Sequence, residues 1–300
     1  MEFNKIVCVD QTKLNKQAIS ELQNFSRTEV EVYTDYPETV EEIIQRIGDA
    51  EAVLVSWHTK IDEQVIRSCP NLKYIGMACS LYDDDSANVA VEFARENGIT
   101  VTGINDYGDP GVAEFIISEL IQLLNGYKGH QWKEIPVELT GLKIGIIGLG
   151  VTGKLLANCL LPFGPDLYYY SKTRKTGWED KGVKYLGLHD LLEKCEVISL
   201  HLPKNNSILA EKEFKKFGDG KILINTSLGC PFDELSFQQW MRNKTNFAIF
   251  DGDAGSSLSE ASLRSKQVIA LETSAGWSSK TKDRLSEKVL DNLKEYLTGV

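Results

Sequence analysis

Gly148-Leu149-Gly150-Val151-Thr152-Gly153 stands directly after the apolar run "KIGII" and opens the helical pattern "VTGKLLANCL". Glycines at this spacing, with a strand before and a helix after, are the context of dinucleotide binding. The first glycine allows a tight turn, the second lets a pyrophosphate approach the backbone, and the third lets helix and strand pack closely. The N–H groups of Val151, Thr152 and Gly153 at the helix start then face the phosphates.

About twenty residues on, an NAD site needs an Asp or Glu at the end of the next strand, for the ribose hydroxyls. The run "DLYYYSKTRK" ends instead in Ser171, Lys172, Thr173, Arg174 and Lys175, and Asp166 lies at the wrong end of it. Hydroxyls among cations suit a 2′-phosphate, which arginine binds through its planar fork. NADP(H) is therefore expected in preference to NAD(H). A solvated basic turn is the other reading.

The stretch "INTSLG", Ile224 to Gly229, reads as a buried strand ending in a small polar turn beside that nucleotide site. A pocket for an anionic substrate needs a fixed cation near such a turn, and Leu228 stands there. The chain has four histidines. His130 and His189 lie in polar stretches and read as solvated. His201 ends "EVISLHL" at the carboxyl edge, where ligands bind in open α/β sheets. His58 ends "AVLVSWH" and is the best replacement acid, with a hydrogen-bonded structural histidine as the alternative. Lys60 is a possible cation or a plain surface lysine. Cys79 and Ser80 are read as a loop after the strand "LKYIGM".

The bulk composition bounds these readings. With 300 residues there is enough chain for two domains, each with its own core. A net charge of -10 opposes nucleic-acid binding. No apolar stretch reaches the length of a membrane span, and the N-terminus has no signal-peptide core. The six cysteines form no CxxC pair and no metal-ligand spacing. Reduced, buried thiols in a cytoplasmic protein without a metal are expected.

Apolar runs alternate with helical patterns throughout, the signature of a parallel α/β architecture. "KIVCV", "EVEVY", "AVLVS", "LKYIGM" and "ITVTG" read as strands, with helices over "TVEEIIQRI" and "SANVAVEFAREN". "GVAEFIISELIQLLNG" is a helix apolar on most of its circumference and is expected to be buried on two sides. A second series runs "KIGII", "DLYYY", "VKYL", "EVISLHL", "KILINT", "NFAIF" and "QVIAL". In the tail, Leu285, Val289, Leu293 and Leu297 fall four apart, so a terminal amphipathic helix is expected to pack back across the first domain.

Several of these segments together resemble the D-isomer-specific 2-hydroxyacid dehydrogenases over nearly the whole chain. "CPNLKYIGMACS", "PGVAEFIISELIQLL", "LTGLKIGIIGLGVTGK", "CEVISLHLPKNNS", "KILINTSLGCPFDE" and "AIFD" follow the family's motifs in order. The resemblance implies two doubly wound parallel-sheet α/β domains. A flavodoxin-like substrate domain would span 1–108 and 278–300, and an inserted Rossmann-type cofactor domain 109–277. It further implies a homodimer, a small-molecule substrate or modified side chain, and cofactor contacts from His201, Pro203, Ser207, Thr226, Ser227, Asp251 and Gly276. His58, Cys79, Ser80, Leu228 and Trp277 would border the substrate.

The departures from the family fall on its catalytic triad. The family's arginine position is Leu228, its acid falls near Ser256, and its histidine position is Thr273. Glu260 or Glu272 could stand in for the acid. Threonine cannot donate a proton near neutral pH, and leucine cannot hold a carboxylate, so ordinary 2-keto acid chemistry is disfavoured. His58 and Thr273 remain the weak catalytic candidates. Three readings stay open: a reductase of a carbonyl, imine or activated alkene; a nucleotide-binding pseudoenzyme with a regulatory or scaffold role; and a dehydrogenase with a displaced triad.

Overall fold

Runs such as Ala52–Val55 (AVLV), Val197–Leu200 (VISL) and Phe247–Phe250 (FAIF) are too short for a stable helix, and every residue in them is buried. Strands covered on both faces belong to parallel sheets sandwiched between helices. The computed structural model, which describes residues 2–81, 83–84, 87–204 and 206–299, has this architecture. The chain divides into two units, one of residues up to Tyr107 together with those from Ser278 onward, the other Gly108–Trp277.

The first unit carries β1 (Ile6–Cys8), β2 (Glu31–Val32), β3 (Ala52–Val55), β4 (Tyr74–Ser80) and β5 (Thr100–Ile104). All pairs are parallel, in the order β2-β1-β3-β4-β5, the flavodoxin-like arrangement. The terminal helix, Ser279–Thr298, starts where the Ser278 side chain accepts the Thr281 N–H and stops at Gly299 with φ 72°. Its Leu285, Val289, Leu293 and Leu297 are buried in one cluster with Phe3, Ile6, Cys8 and Leu54. Each such side chain contributes roughly 1.5–3 kcal/mol of burial.

Two expectations for this unit need correction. The helix expected over "SANVAVEFAREN" begins only at Val91 and runs to Glu96. Ser86, the first residue of that stretch, lies outside the described residues. Val89 instead pairs with Ile61 in a parallel bridge, and the Asn88 amide donates to the Ser56 and Thr59 carbonyls at 2.8 and 2.5 Å. These long-range bonds and the bridge tie Asn88 and Val89 to the segment after β3, ahead of the helix. Cys79 and Ser80 close strand β4 rather than occupying the loop after it.

The second unit carries β6 (Lys143–Ile147), β7 (Asp166–Tyr170), β8 (Lys184–Tyr185), β9, which is Val197–Leu200, β10 (Ile222–Asn225), β11, which is Phe247–Phe250, and β12 (Val268–Ala270). The order is β12-β11-β10-β9-β6-β7-β8, parallel throughout, so the winding direction reverses between β6 and β9. Helix Asp109–Asn125 has Pro110 in its first turn, where a missing N–H costs nothing. It buries Ala113, Ile116, Leu120, Leu123 and Leu124 in one cluster with Ile144, Ile146 and Leu156. Val112, Phe115, Ile117 and Ile121 are partly buried against that cluster.

All six cysteines are free. Desolvation pushes the Cys8, Cys79 and Cys195 thiols up to about 12 and Cys230 up to about 11, so they stay protonated. Among the described residues no helix is long and apolar enough to cross a membrane, and no group of acidic, His or Cys side chains could hold a metal.

Candidate functional site

Strand register builds the site. Ile147 pairs with both Tyr170 and Leu200, Leu200 with Asn225, and Asn225 with Phe250. The residues that follow, Ser171, Gly148, His201, Thr226 and Asp251, therefore leave the carboxyl edge of the sheet as one row. Gly148 and His201 flank the reversal of winding, the crevice where open α/β sheets bind ligands.

The glycine turn has three distinct environments. Gly148 adopts φ +96°, donates its N–H to the Tyr170 carbonyl at 2.8 Å, and sits so close to the His201 carbonyl that a Cβ has no room. Gly153 packs against the Gly148 carbonyl with the same consequence. At Gly150 a Cβ would meet nothing within 4 Å. The loop is tight where helix and strands meet and open at Gly150.

Helix Val151–Leu160 begins at Gly150 with no side-chain cap, so its first N–H groups are not taken by a capping residue. Four orphan donors at such an end favour an anion. Thr152 lends only its backbone there, because its hydroxyl bonds the Asp109 carboxylate. The residues fit a dinucleotide: an open glycine cradle, an uncapped helix start, and strand ends aligned on either side.

His201 lies within this row. Its N–H donates to the Ile147 carbonyl at 2.8 Å and its Nε2 is 2.9 Å from Ser199 Oγ. It keeps some surface area, yet desolvation lowers its pKa to about 4, so the ring is neutral at physiological pH. Pro203 and Ser207 lie exposed on the loop that follows.

In "INTSLG" the turn is tied by side chains. Asn225 Oδ1 accepts the Ser227 N–H at 3.0 Å and its Nδ2 donates to the Gly229 carbonyl at 3.0 Å. Ser227 Oγ donates to the Leu200 carbonyl and accepts the Leu202 N–H, both at 3.1 Å. These bonds fix Thr226 and Ser227 beside His201 and leave Leu228 at the tip, 54% exposed. Asn225 was not among the sequence candidates, although an Asn whose side-chain oxygen accepts the N–H two residues on is a known turn signal.

Asp251 is 2% exposed. Its Oδ1 accepts the Ala254 N–H at 3.0 Å and its Oδ2 the Ala275 N–H at 2.9 Å, tying the end of β11 to the segment after β12. Burial raises its pKa, and those N–H bonds oppose the rise. Gly276 approaches Gly108 closely enough that a Cβ on Gly108 would meet the Gly276 carbonyl at 3.0 Å. Thr273 accepts the Gly252 N–H at 2.9 Å through its carbonyl. Thr273, Ser256, Glu272 and Trp277 are all exposed, and Glu260 pairs with Arg264 at 2.9 Å.

The turn after β7 is more committed than its sequence suggests. Ser171 Oγ donates to the Thr173 carbonyl at 2.5 Å, and Arg174 pairs with Glu179 through two hydrogen bonds of 2.7 and 2.5 Å. Tyr169 Oη accepts the Lys175 N–H at 2.6 Å and donates to Glu179 Oε1 at 3.1 Å. Lys172 and Thr173 are exposed. No spacing rule picks out Glu179, five residues beyond Arg174, as its partner.

Within the first unit, His58 sits at the carboxyl end of β3. Its ring centroid is 3.8 Å from that of Trp57 and 4.3 Å from that of Tyr36. Desolvation, with Lys13 nearby, lowers its pKa against the pull of Asp10. Cys79 is 4% exposed, its Sγ 3.6 Å from Asn88 Oδ1.

The model of the D-isomer specific 2-hydroxyacid dehydrogenase NAD binding domain matches residues 116–268. The hydroxypyruvate reductase of Blautia hydrogenotrophica is 27% identical, over 98% of this chain and 97% of its own length. The D-3-phosphoglycerate dehydrogenase of Archaeoglobus fulgidus is 30% identical over 70% of this chain and 42% of its own. Among solved structures, an acyclic imino acid reductase in complex with NADPH and D-Arg superposes with a TM-score of 0.80 at 24% identity, covering 98% of this chain and 97% of that one.

Proposed function

This chain belongs to the D-isomer specific 2-hydroxyacid dehydrogenase family, and we propose that it is an NADP(H)-dependent oxidoreductase with an altered substrate. That substrate is a small molecule, or a modified side chain, carrying a carbonyl, imine or activated alkene rather than a free 2-keto acid. The observation that carries the nucleotide part is the glycine turn, closed at Gly148 and Gly153 and open at Gly150.

Gly150 and the uncapped N–H groups of Val151 to Gly153 would hold the pyrophosphate. The turn from Ser171 to Arg174 would face the adenosine ribose, and its cations favour a 2′-phosphate. His201, Thr226, Ser227 and Asp251 would border the nicotinamide side. A nicotinamide bound there would give or take the hydride. The neutral imidazole of His201 adds no charge beside it.

Leu228, Ser256 and Thr273 stand at the family's triad positions, where no side chain can pair with a carboxylate or give up a proton near neutral pH. Leu228 is exposed at the turn tip rather than buried in the sheet's core, which supports a contact with an uncharged substrate group. The same replacements favour a second reading, a nucleotide-binding pseudoenzyme with a regulatory or scaffold role. In either case the buried protonated thiols support a reducing, cytoplasmic setting, and family likeness supports a homodimer.

The deciding experiment incubates the purified protein with NADPH and a panel of ketones, imines and activated alkenes, following loss of nicotinamide absorbance. Turnover on a panel member supports the reductase. Nucleotide binding without turnover on any of them leaves the pseudoenzyme.

A further inference from the structure

Arg174 is a cation already engaged. Its Nε and Nη2 donate to the two oxygens of Glu179 at 2.7 and 2.5 Å, the side-on fork geometry with which a guanidinium takes a carboxylate or a phosphate. Glu179 is anchored in turn by Tyr169, whose hydroxyl donates to Oε1 at 3.1 Å. Tyr169 is fully buried, and its ring stands edge-on to Tyr185 with centroids 5.4 Å apart. The Arg174 guanidinium carbon lies 5.5 Å from the centre of that same Tyr185 ring.

We propose that Glu179 sets nucleotide discrimination, by occupying with its own carboxylate the edge of Arg174 that a 2′-phosphate would take. The inference rests on the nicotinamide-nucleotide reading of the site. A guanidinium has five N–H donors, and the bonds to Glu179 use both donors of its side-on edge. An incoming 2′-phosphate must either displace the carboxylate or settle on the remaining edge with a like charge beside it. Both routes oppose NADPH. Neither touches NADH, which carries a hydroxyl at that position. The preference that the basic turn confers is therefore tempered from within the fold.

The test titrates full-length protein calorimetrically with NADPH and with NADH, in four forms: unaltered, Glu179→Gln, Arg174→Ala, and the double variant. Glutamine keeps the length of the side chain and an acceptor for the Tyr169 hydroxyl while removing the charge. Glu179→Gln is expected to tighten NADPH binding roughly tenfold, the scale of one charged hydrogen bond, and to leave NADH binding unchanged. In the Arg174→Ala background the same substitution is expected to have no effect on either nucleotide.

An unmoved NADPH-to-NADH ratio in Glu179→Gln, or weaker NADPH binding, overturns the inference. The latter result would make Glu179 a support that orients Arg174 for the phosphate. If the unaltered protein binds neither nucleotide, the nucleotide-site reading fails and takes this inference with it. That outcome is distinct from nucleotides that bind with an unmoved ratio.

Discussion

His201 Nε2 lies 2.9 Å from Ser199 Oγ, two residues back along the chain. Side chains two apart along extended chain share a face, so Ser199 in β9 and His201 just past its end present the hydroxyl and the imidazole on one side. Because desolvation holds His201 at about 4 rather than its ordinary 6.5, the folded state resists a proton that the unfolded chain accepts.

That difference gives a signed pH dependence. The contribution of His201 to stability is fully present above about pH 6.5, is lost as pH falls toward 4, and changes no further below that. Across this window the unfolded chain binds more protons, so stability rises with pH. The loss is on the order of 3 kcal/mol, at about 1.4 kcal/mol for each unit of pKa difference. Urea titrations between pH 7.5 and 4 are expected to show a shallower fall in His201→Gln than in the unaltered protein. Identical pH slopes would mean that the imidazole titrates freely in the fold.

The glycine turn separates binding from folding. At Gly150 a Cβ meets nothing within 4 Å and φ is -80°, so Gly150→Ala is expected to keep its melting temperature and lose nucleotide binding. Gly153→Ala forces a side chain against the Gly148 carbonyl and is expected to lower stability by roughly 1–3 kcal/mol. Thermal melts and nucleotide titrations on both variants distinguish the two effects. A destabilised Gly150→Ala that still binds NADPH would remove the cradle from its assigned role.

Cofactor preference is checked on the basic turn itself. The unaltered protein is expected to bind NADPH more tightly than NADH, because Ser171 to Arg174 replace the acidic ribose clamp. Arg174→Ala is expected to weaken NADPH binding roughly ten- to a hundredfold while sparing NADH. Equal affinities for the two nucleotides in the unaltered protein would sink the assignment.

The strand runs were legible because each is apolar, short and punctuated, and the glycine turn because its spacing and flanks are both constrained. The terminal helix was legible from its spacing: Leu285, Val289, Leu293 and Leu297 are buried together. The start of helix Val91–Glu96 was not, because the Asn88 amide turns to the Ser56 and Thr59 carbonyls, a contact with residues some thirty positions earlier. The Arg174–Glu179 pair escaped for a similar reason. Five residues is no helical neighbour spacing, and the pairing depends on how the turn after β7 folds back beneath Tyr169. Propensity and periodicity describe local backbone and burial, whereas these pairings are set by tertiary geometry.

Leu228 allows a graded test of the proposal that the substrate is not a free 2-keto acid. Pyruvate, glyoxylate and hydroxypyruvate are expected to be poor substrates, with turnover well below the usual enzyme range of about 1–10³ per second. At 54% exposed, Leu228 can be replaced without opening a cavity in the sheet's core. Leu228→Arg supplies a guanidinium that can pair with a carboxylate, so it is expected to lower KM for these acids. Their kcat should stay low, since Thr273 still offers no proton. Adding Thr273→His to that variant is expected to raise kcat by up to about 10² to 10⁴, the usual worth of a positioned acid. Steady-state kinetics at saturating NADPH on the three proteins separates binding from proton transfer. Fast turnover of any of these keto acids by the unaltered chain would mean that the cation and the acid come from elsewhere, and Leu228 would lose its assigned significance.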